Sequence, residues 1–576
     1  MAFCRELNLE RVTLHIVQVS APKLRSLKAM VTAIDWQWHQ GDYSVYTKPL
    51  EKSANDQREY RLLKLANELQ VLLVSDPDTD RASASLDVHV GSLSDPEHLQ
   101  GLAHFCEHLL FMGTKKYPKE NDYYSYLSEH SGHANAFTGT VNTNYFFEVG
   151  HQWLEGALDR FSRFFIDPLF SESCTERELK AVDSEHKKNL QSDCWRISQI
   201  EKHLSDPKHP WHLFETGNLE TLLEYPKKIG LDVREELLKF HDAYYSANIM
   251  KLVILGRESL DQLTKWVVEK FSSVKNKHIP VPSFHGHPLT KNELMKQIFI
   301  KSVKKSRTLE ITFPFPDQTA FYECQPANYL AHLIGHEGPG SILSFLKKKT
   351  WATTLSSGLS YGGVGHYEDV VVSLFEYIEL IKKEGIQQWI FEETKSLAEI
   401  EFRFLEQCTP SQYTSFLSQQ MQENYPPQWV ISGNALLRKY DPDLIKAHLE
   451  LLRMDNFRLT LVSQEFPDGI ECTRIERWYS AEYEVQPLSE ALVQRLVNIS
   501  LNPHFSLPVV NEFIPTELEV VKQEGKTKEP TLIQDEPISR IWYKKDDTFW
   551  VPKTNVWICL KNPLTYITPR HAVMLA

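Results

Sequence analysis

The feature that most constrains this chain is a unit that occurs twice. Asp232 to Tyr245 carries apolar residues at helical spacing, Ser246-Ala-Asn248 breaks the pattern, and Ile249-Met-Lys-Leu-Val-Ile-Leu255 follows as an apolar strand closed by Gly256. Asp441 to Leu452 is again helical in pattern, Asp455-Asn456 is the break, and Phe457-Arg-Leu-Thr-Leu-Val462 is the strand. The breaks at Asn248 and Asn456 lie 208 positions apart, which predicts duplicated domains rather than one continuous fold. A length of 576 residues, at about 150 per domain, leaves room for three or four.

Within the first copy, Tyr60 to Leu65 and Leu69 to Val74 read as a β-hairpin, Ala82 to Val90 as a third strand, and Pro96 to Met112 as a helix. Strands followed by helices on one stretch predict an α+β architecture: tandem homologous domains, each a mostly antiparallel sheet packed with helices. The expected boundaries are a weakly assigned segment at 1–55, a first domain at 56–282, a second at 283–510, and a linker with the start of a third at 511–576. Pro280-Val-Pro-Ser-Phe-His-Gly-His-Pro288 has the composition of the connection between the first two. In the last stretch, Ile538 to Tyr543 and Asn555 to Leu560 read as strands of a new hairpin that no helix follows.

Composition excludes several function classes. A net charge of −13 gives no reason to expect nucleic acid as a partner and favours basic peptides or proteins. No run of about 18 apolar residues occurs, so no membrane span is expected. The eight cysteines are scattered without a C-x-x-C pair, and the N-terminal Arg5, Glu6, Glu10 and Arg11 do not flank a secretory core. A reducing, cytoplasmic address is expected ahead of a mitochondrial one.

The chemistry is carried by His104-Phe-Cys-Glu107-His108. On a helix, residues i and i+4 share a face, so both imidazoles can reach one metal ion, with Glu107 bordering that face. A catalytic zinc commonly takes three protein ligands and a water, so a third ligand must come from elsewhere, and a carboxylate beside that water can act as its base. Chance alone would give this pattern roughly once in fifteen chains with 23 His in 576 residues, and the plain alternative is a helix with two surface or core histidines. Downstream, a helix expected over Cys174 to Trp195 places Glu178 and Glu185 on one face, about 10 Å apart along the axis. One of these could ligate the metal and the other orient a ligand; the plain alternative is a solvated acidic face.

The inverted zinc motif followed by Glu178-Leu-Lys-Ala-Val-Asp-Ser-Glu-His186 resembles the insulysin branch of the pitrilysin family of zinc metallopeptidases. Phe111 to Asn121, Asn135-Ala-Phe-Thr138, Leu154 to Phe161, Tyr244 to Asn248 and His332-Leu-Ile-Gly-His-Glu-Gly-Pro-Gly340 extend the resemblance. It implies that His104, His108 and Glu185 bind zinc, that Glu107 is the general base, and that Glu178 supports the site from behind. It further implies that Asn135, Ala136 and Phe137 lie on an edge strand pairing with peptide substrate, a role whose plain alternative is an ordinary edge. By the same resemblance His336, Glu337, Gly338 and Gly340 help hold the substrate's N-terminal end.

The sequence departs from the family in two places. The resemblance implies four domains in two halves, with an Arg and a Tyr from the second half binding the developing oxyanion, and this chain is expected to supply only the first half plus the start of the third domain. Gly358 to Gly365 runs straight into the helical His366 to Val372, so roughly 15 to 20 residues and one strand of a hydrogen-bonded ladder are absent by comparison with the family. The expectation is a zinc metalloendopeptidase for peptides and small unfolded proteins, present as an N-terminal half. The alternative is a non-catalytic peptide-binding or regulatory half that associates with a full-length homologue.

Overall fold

A computed structural model describes residues 35–39, 41–352, 354–357, 366–466, 469–520, 527–546, 551–564 and 567–571, with the backbone of 11–18. Among these, the first repeat is built on eight strands. Their spatial order is Trp36–His39, Tyr43–Tyr46, Glu59–Leu65, Gln70–Ser75, Met250–Gly256, Arg81–Val88, Thr143–Gly150 and His133–Thr138. Neighbours run antiparallel except Gln70–Ser75 and Met250–Gly256, which run parallel. The repeated strand therefore threads between the second and third strands anticipated from sequence.

The second repeat forms a seven-stranded sheet among the described residues, in the order Thr354–Ser357, Arg11–Gln18, Arg307–Phe315, Arg458–Ser463, Lys296–Lys301, Glu482–Pro487 and Arg474–Ile475. In both repeats the helix leads through an Asn break into a central strand: Val233–Tyr244 into Met250–Gly256, and Pro442–Leu449 into Arg458–Ser463. Each Asn side chain holds its break, Asn248 Nδ2 donating to Ile279 O at 2.7 Å and Asn456 Nδ2 to Leu451 O at 2.8 Å. The segment left unassigned before residue 56 contributes strands to both sheets, with Arg11–Gln18 running parallel to Arg307–Phe315 and Thr354–Ser357.

Alternation in Arg81–Val88 shows how the site acquires a floor. Ala82, Ala84, Leu86 and Val88 enter the apolar core with Phe105 and Leu109 of the motif helix. The intervening Ser83, Ser85 and Asp87 would ordinarily face water, but they are buried too. The helix Pro410–Gln420 covers them, with Thr414 Oγ1 2.7 Å from Ser83 Oγ and Ser418 Oγ 2.9 Å from Ser85 Oγ. Polar sheet face meets polar helix face, so each hydroxyl keeps a partner.

Several expected elements differ in the structure. The motif helix is Leu102–Leu110, shorter than Pro96 to Met112, because residues 97–101 form turns whose end is held by the Asp95 carboxylate. The acidic helix divides into Glu172–Asn189 and Asp193–His203. The break is stabilised by Arg196, whose Nη1 donates to the freed Leu190 carbonyl at 3.2 Å. Pro280 to Pro288 is neither helix nor strand, and Gly358 to Gly365 lies outside the described residues. Residues 511–576 form a separate unit. Its hairpin joins Thr531–Glu536 to Ser539–Tyr543, so Thr531–Glu536 takes the partner role expected for Asn555 to Leu560. The latter stretch is not a strand, and Trp557 within it is 95% exposed. No helix among the described residues is long and apolar enough to cross a membrane.

Candidate metal centre

The motif helix begins where Asp95 stops the preceding loop. Its carboxylate accepts from the N–H of Gly101 at 2.8 Å and of Ala103 at 2.7 Å, satisfying donors that a helix start leaves unpaired. Burial pushes the Asp95 carboxyl up to about 8 in spite of these donors. Gly101 has φ +90°, and a Cβ there would stand 2.3 Å from Gly217 Cα. The bare backbone is what lets the Thr216-Gly217 loop close on the helix, bringing the Thr216 carbonyl 2.7 Å from His104 Nδ1. One turn on, the His108 ring stands nearly perpendicular to that of His104, their centroids 4.8 Å apart.

The helix Glu172–Asn189 brings two carboxylates to these rings. Glu178 Oε2 lies 3.1 Å from His108 Nδ1. Glu185 Oε2 lies 3.7 Å from His104 Nε2 and 3.6 Å from His108 Nε2. With both Nδ1 atoms held from behind, two Nε2 atoms and one carboxylate oxygen converge, all within 4.8 Å of one another. Tetrahedral zinc with bonds of about 2.0–2.2 Å spaces its ligands by about 3.4 Å, so a small contraction of this set would fit the ion. Burial alone would depress the His108 pKa, but the hydrogen bond to Glu178 and the nearby Glu185 carboxylate outweigh it and push it up to about 9. The same contact with His108 holds the Glu185 carboxyl below its ordinary value.

Glu107 sits beside this cluster on the buried side, 7% exposed. Burial raises its pKa, with the charge of His104 and a 2.6 Å hydrogen bond from Thr138 Oγ1 acting in the opposite direction. Thr138 ends the outermost strand, His133–Thr138, on which Asn135, Ala136 and Phe137 lie. Asn135 and Phe137 are exposed and Ala136 half-buried. The strand thus leads from the sheet edge directly to the carboxylate.

His336, Glu337, Gly338 and Gly340 lie in the second repeat, on the turn between the helices Pro326–Ile334 and Ile342–Lys348. His336 Nδ1 accepts from the Gly338 N–H at 3.1 Å, Glu337 pairs with Lys347, and Gly340 O accepts from Ser506 N–H. None of these contacts is with the histidine cluster. Sequence reasoning missed Asp95, Thr216 and the part played by Thr138. Thr138 stood at the end of the Asn-Ala-Phe-Thr stretch, whereas Thr216 acts through its carbonyl, which no side-chain pattern reports.

The comparisons with known proteins follow this layout. Residues 70–208 match "Insulinase (Peptidase family M16)", 232–397 the "Peptidase M16 inactive domain", and 402–576 the "Middle or third domain of peptidase_M16". The chain belongs to peptidase family M16. Within M16 it is 47% identical over 542 residues to the insulin-degrading enzyme of Homo sapiens, covering 91% of this chain and 53% of that protein. It is 45% identical over 529 residues to the A-factor-processing enzyme of Saccharomyces cerevisiae, covering 89% and 51% respectively. The crystal structure of pitrilysin superposes with a TM-score of 0.81 at 29% identity, covering 93% of this chain and 58% of that one. This M16 chain is insulysin-like, with mixed helices and sheets of an α+β kind, and it spans about half the length of the curated relatives it matches.

Proposed function

We propose that this chain carries a zinc-dependent endopeptidase centre acting on peptides and small unfolded proteins. In this reading His104, His108 and Glu185 hold the ion, Glu178 orients His108, and Glu107 is the general base. The observation that carries it is the convergence of two imidazole Nε2 atoms and Glu185 Oε2 beside a buried carboxylate. Bound zinc would supply Lewis acidity toward the scissile carbonyl and acidify an attacking water. Glu107 takes the proton from that water and delivers it to the leaving amine, while Thr138 holds the carboxylate in place through its hydroxyl. Asn135, Ala136 and Phe137 offer edge-strand backbone to an extended substrate, a mode that tolerates many side chains. The turn bearing His336, Glu337, Gly338 and Gly340 would hold the substrate's N-terminal end. The seven described cysteines are all free, which supports a reducing, cytoplasmic setting.

Metal analysis of purified protein tests the ligand set; protein without zinc, or with zinc content unchanged in His108→Ala, overturns it. A fluorogenic peptide tests the chemistry, because equal rates for the parent and Glu107→Gln would exclude catalysis by this centre. That result would favour the second reading, a peptide-binding or regulatory half that associates with a longer homologue. The observation behind the second reading is the hairpin of residues 531–543, whose Ile533 and Trp542 are exposed.

A further inference from the structure

One turn of the second repeat contacts groups that adjoin two of the three candidate metal ligands. Glu476, 1% exposed, folds its carboxylate onto its own turn and accepts from the N–H of Trp478 at 3.0 Å and of Tyr479 at 2.8 Å. Its own N–H donates to Ala481 O at 2.9 Å. The turn is therefore fixed before it touches anything else. The Trp478 carbonyl lies 3.0 Å from Nε2 of His186, the residue that follows Glu185. The Tyr479 carbonyl accepts from Arg196 Nη1 at 2.9 Å. The Tyr479 hydroxyl lies 3.3 Å from Thr216 Oγ1, and the Thr216 carbonyl is the group that meets His104 Nδ1. Between these contacts the Trp478 ring stacks on Phe214, with centroids 4.7 Å apart and planes inclined by 14°.

We propose that the Glu476–Tyr479 turn positions the metal ligands of the first repeat, Tyr479 acting on His104 through Thr216 and Trp478 acting on Glu185 through His186. The inference rests on the zinc reading above and adds that the first repeat does not hold its metal site in place alone. Orientation of His104 depends on a carbonyl, and the residues 214–217 that carry it are held both from the first repeat, by Gly101 and by the Phe214 N–H donating to Gln100 Oε1 at 2.9 Å, and from the turn at 476–479, by an aromatic and a hydroxyl contact. Groups that orient a ligand are as much a part of metal affinity as the ligand itself.

The test uses the full chain with zinc as the probe, its Kd read by competition with a chromogenic chelator. Tyr479→Phe and Thr216→Val each remove one side of the hydroxyl contact while keeping shape and the Thr216 carbonyl. Each should raise the zinc Kd about 5-fold, less than the 10- to 100-fold typical where the orienting group bonds the ligand directly. The double variant should be no weaker than either single one, since both act through the same contact. Phe313→Leu, in the second-repeat core, should lower Tm and leave Kd unchanged. The inference is overturned if Tyr479→Phe leaves Kd unmoved, if the two effects add, or if Phe313→Leu weakens zinc as strongly. Failure of the parent chain to bind zinc would be a different result, overturning the zinc reading itself.

Discussion

The two repeats place a histidine-bearing helix at the same point in chain order and put it to different use. In the first, Leu102–Leu110 meets Glu178, Glu185, Thr138 and the Thr216 carbonyl, so both imidazoles and Glu107 have polar partners. In the second, Pro326–Ile334 carries His332, whose Nε2 is buried without a hydrogen-bond partner. Burial, with His336 nearby, holds the His332 pKa below its ordinary value, which favours the neutral ring. A helix on a sheet is common to both; what differs is which distant segments deliver carboxylates to it. In the zinc reading proposed above, chemistry belongs to the convergence and not to the fold.

This contrast can be broken most directly at Glu107. Glu107→Gln should lower kcat/KM for a fluorogenic peptide by about 10²- to 10⁴-fold with zinc content unchanged. Next in size is a structural effect on the second repeat's contribution. Arg458 is fully buried and pairs with Glu201 of the first repeat, whose other oxygen accepts from Thr460 Oγ1 at 2.8 Å. Glu201→Gln leaves a buried guanidinium short of its counter-charge and should cost about 3 kcal/mol in urea unfolding.

Acidity sharpens the comparison further. Zinc requires the neutral imidazole, so with His108 held at about 9 the apparent zinc affinity should rise about tenfold per pH unit between pH 6 and 8. In the metal-free protein the sign is opposite. His108 binds its proton more tightly folded than unfolded, so its contribution to stability is full below about pH 6.5 and is lost as pH rises through about 9, visible in urea midpoints. Glu178→Gln should raise the zinc Kd about 10- to 100-fold and flatten the pH slope near neutrality, because the carboxylate that raises His108 is gone. The smallest effect belongs to the second repeat: His332→Ala should leave zinc affinity unchanged, and any clear loss would mean that the two helices are coupled.

Much of the first repeat was legible in the sequence because its signals are local. The strands at 60–65, 69–74 and 82–90 announce themselves by apolar density, and His104, Glu107 and His108 sit within five residues of one another. Glu178 and Glu185 were legible as a pair seven apart on one helix. What sequence reading lost lies where a partner is remote or is backbone. Ser83, Ser85 and Asp87 alternate with the apolar residues of their strand, and only the arrival of Pro410–Gln420, more than 300 positions later, makes them an interior. The split at Leu190 depends on an arginine side chain capping a carbonyl. Thr216 and Tyr479 act through a carbonyl and a hydroxyl whose neighbours no periodicity records.

The parallel pairing of Gln70–Ser75 with Met250–Gly256 has a consequence for the order of assembly. Without that strand the first sheet is two pieces, one ending at Gln70–Ser75 and the other at Arg81–Val88. The seam closes only when chain some 180 positions further on returns to fill it, with Gln70 opposite Lys251. Long-range closure of this kind is slow compared with helix formation. A growing chain therefore carries His104 and His108 well before the surface beneath their nine-residue helix is whole, and a helix that short gains its stability from that surface.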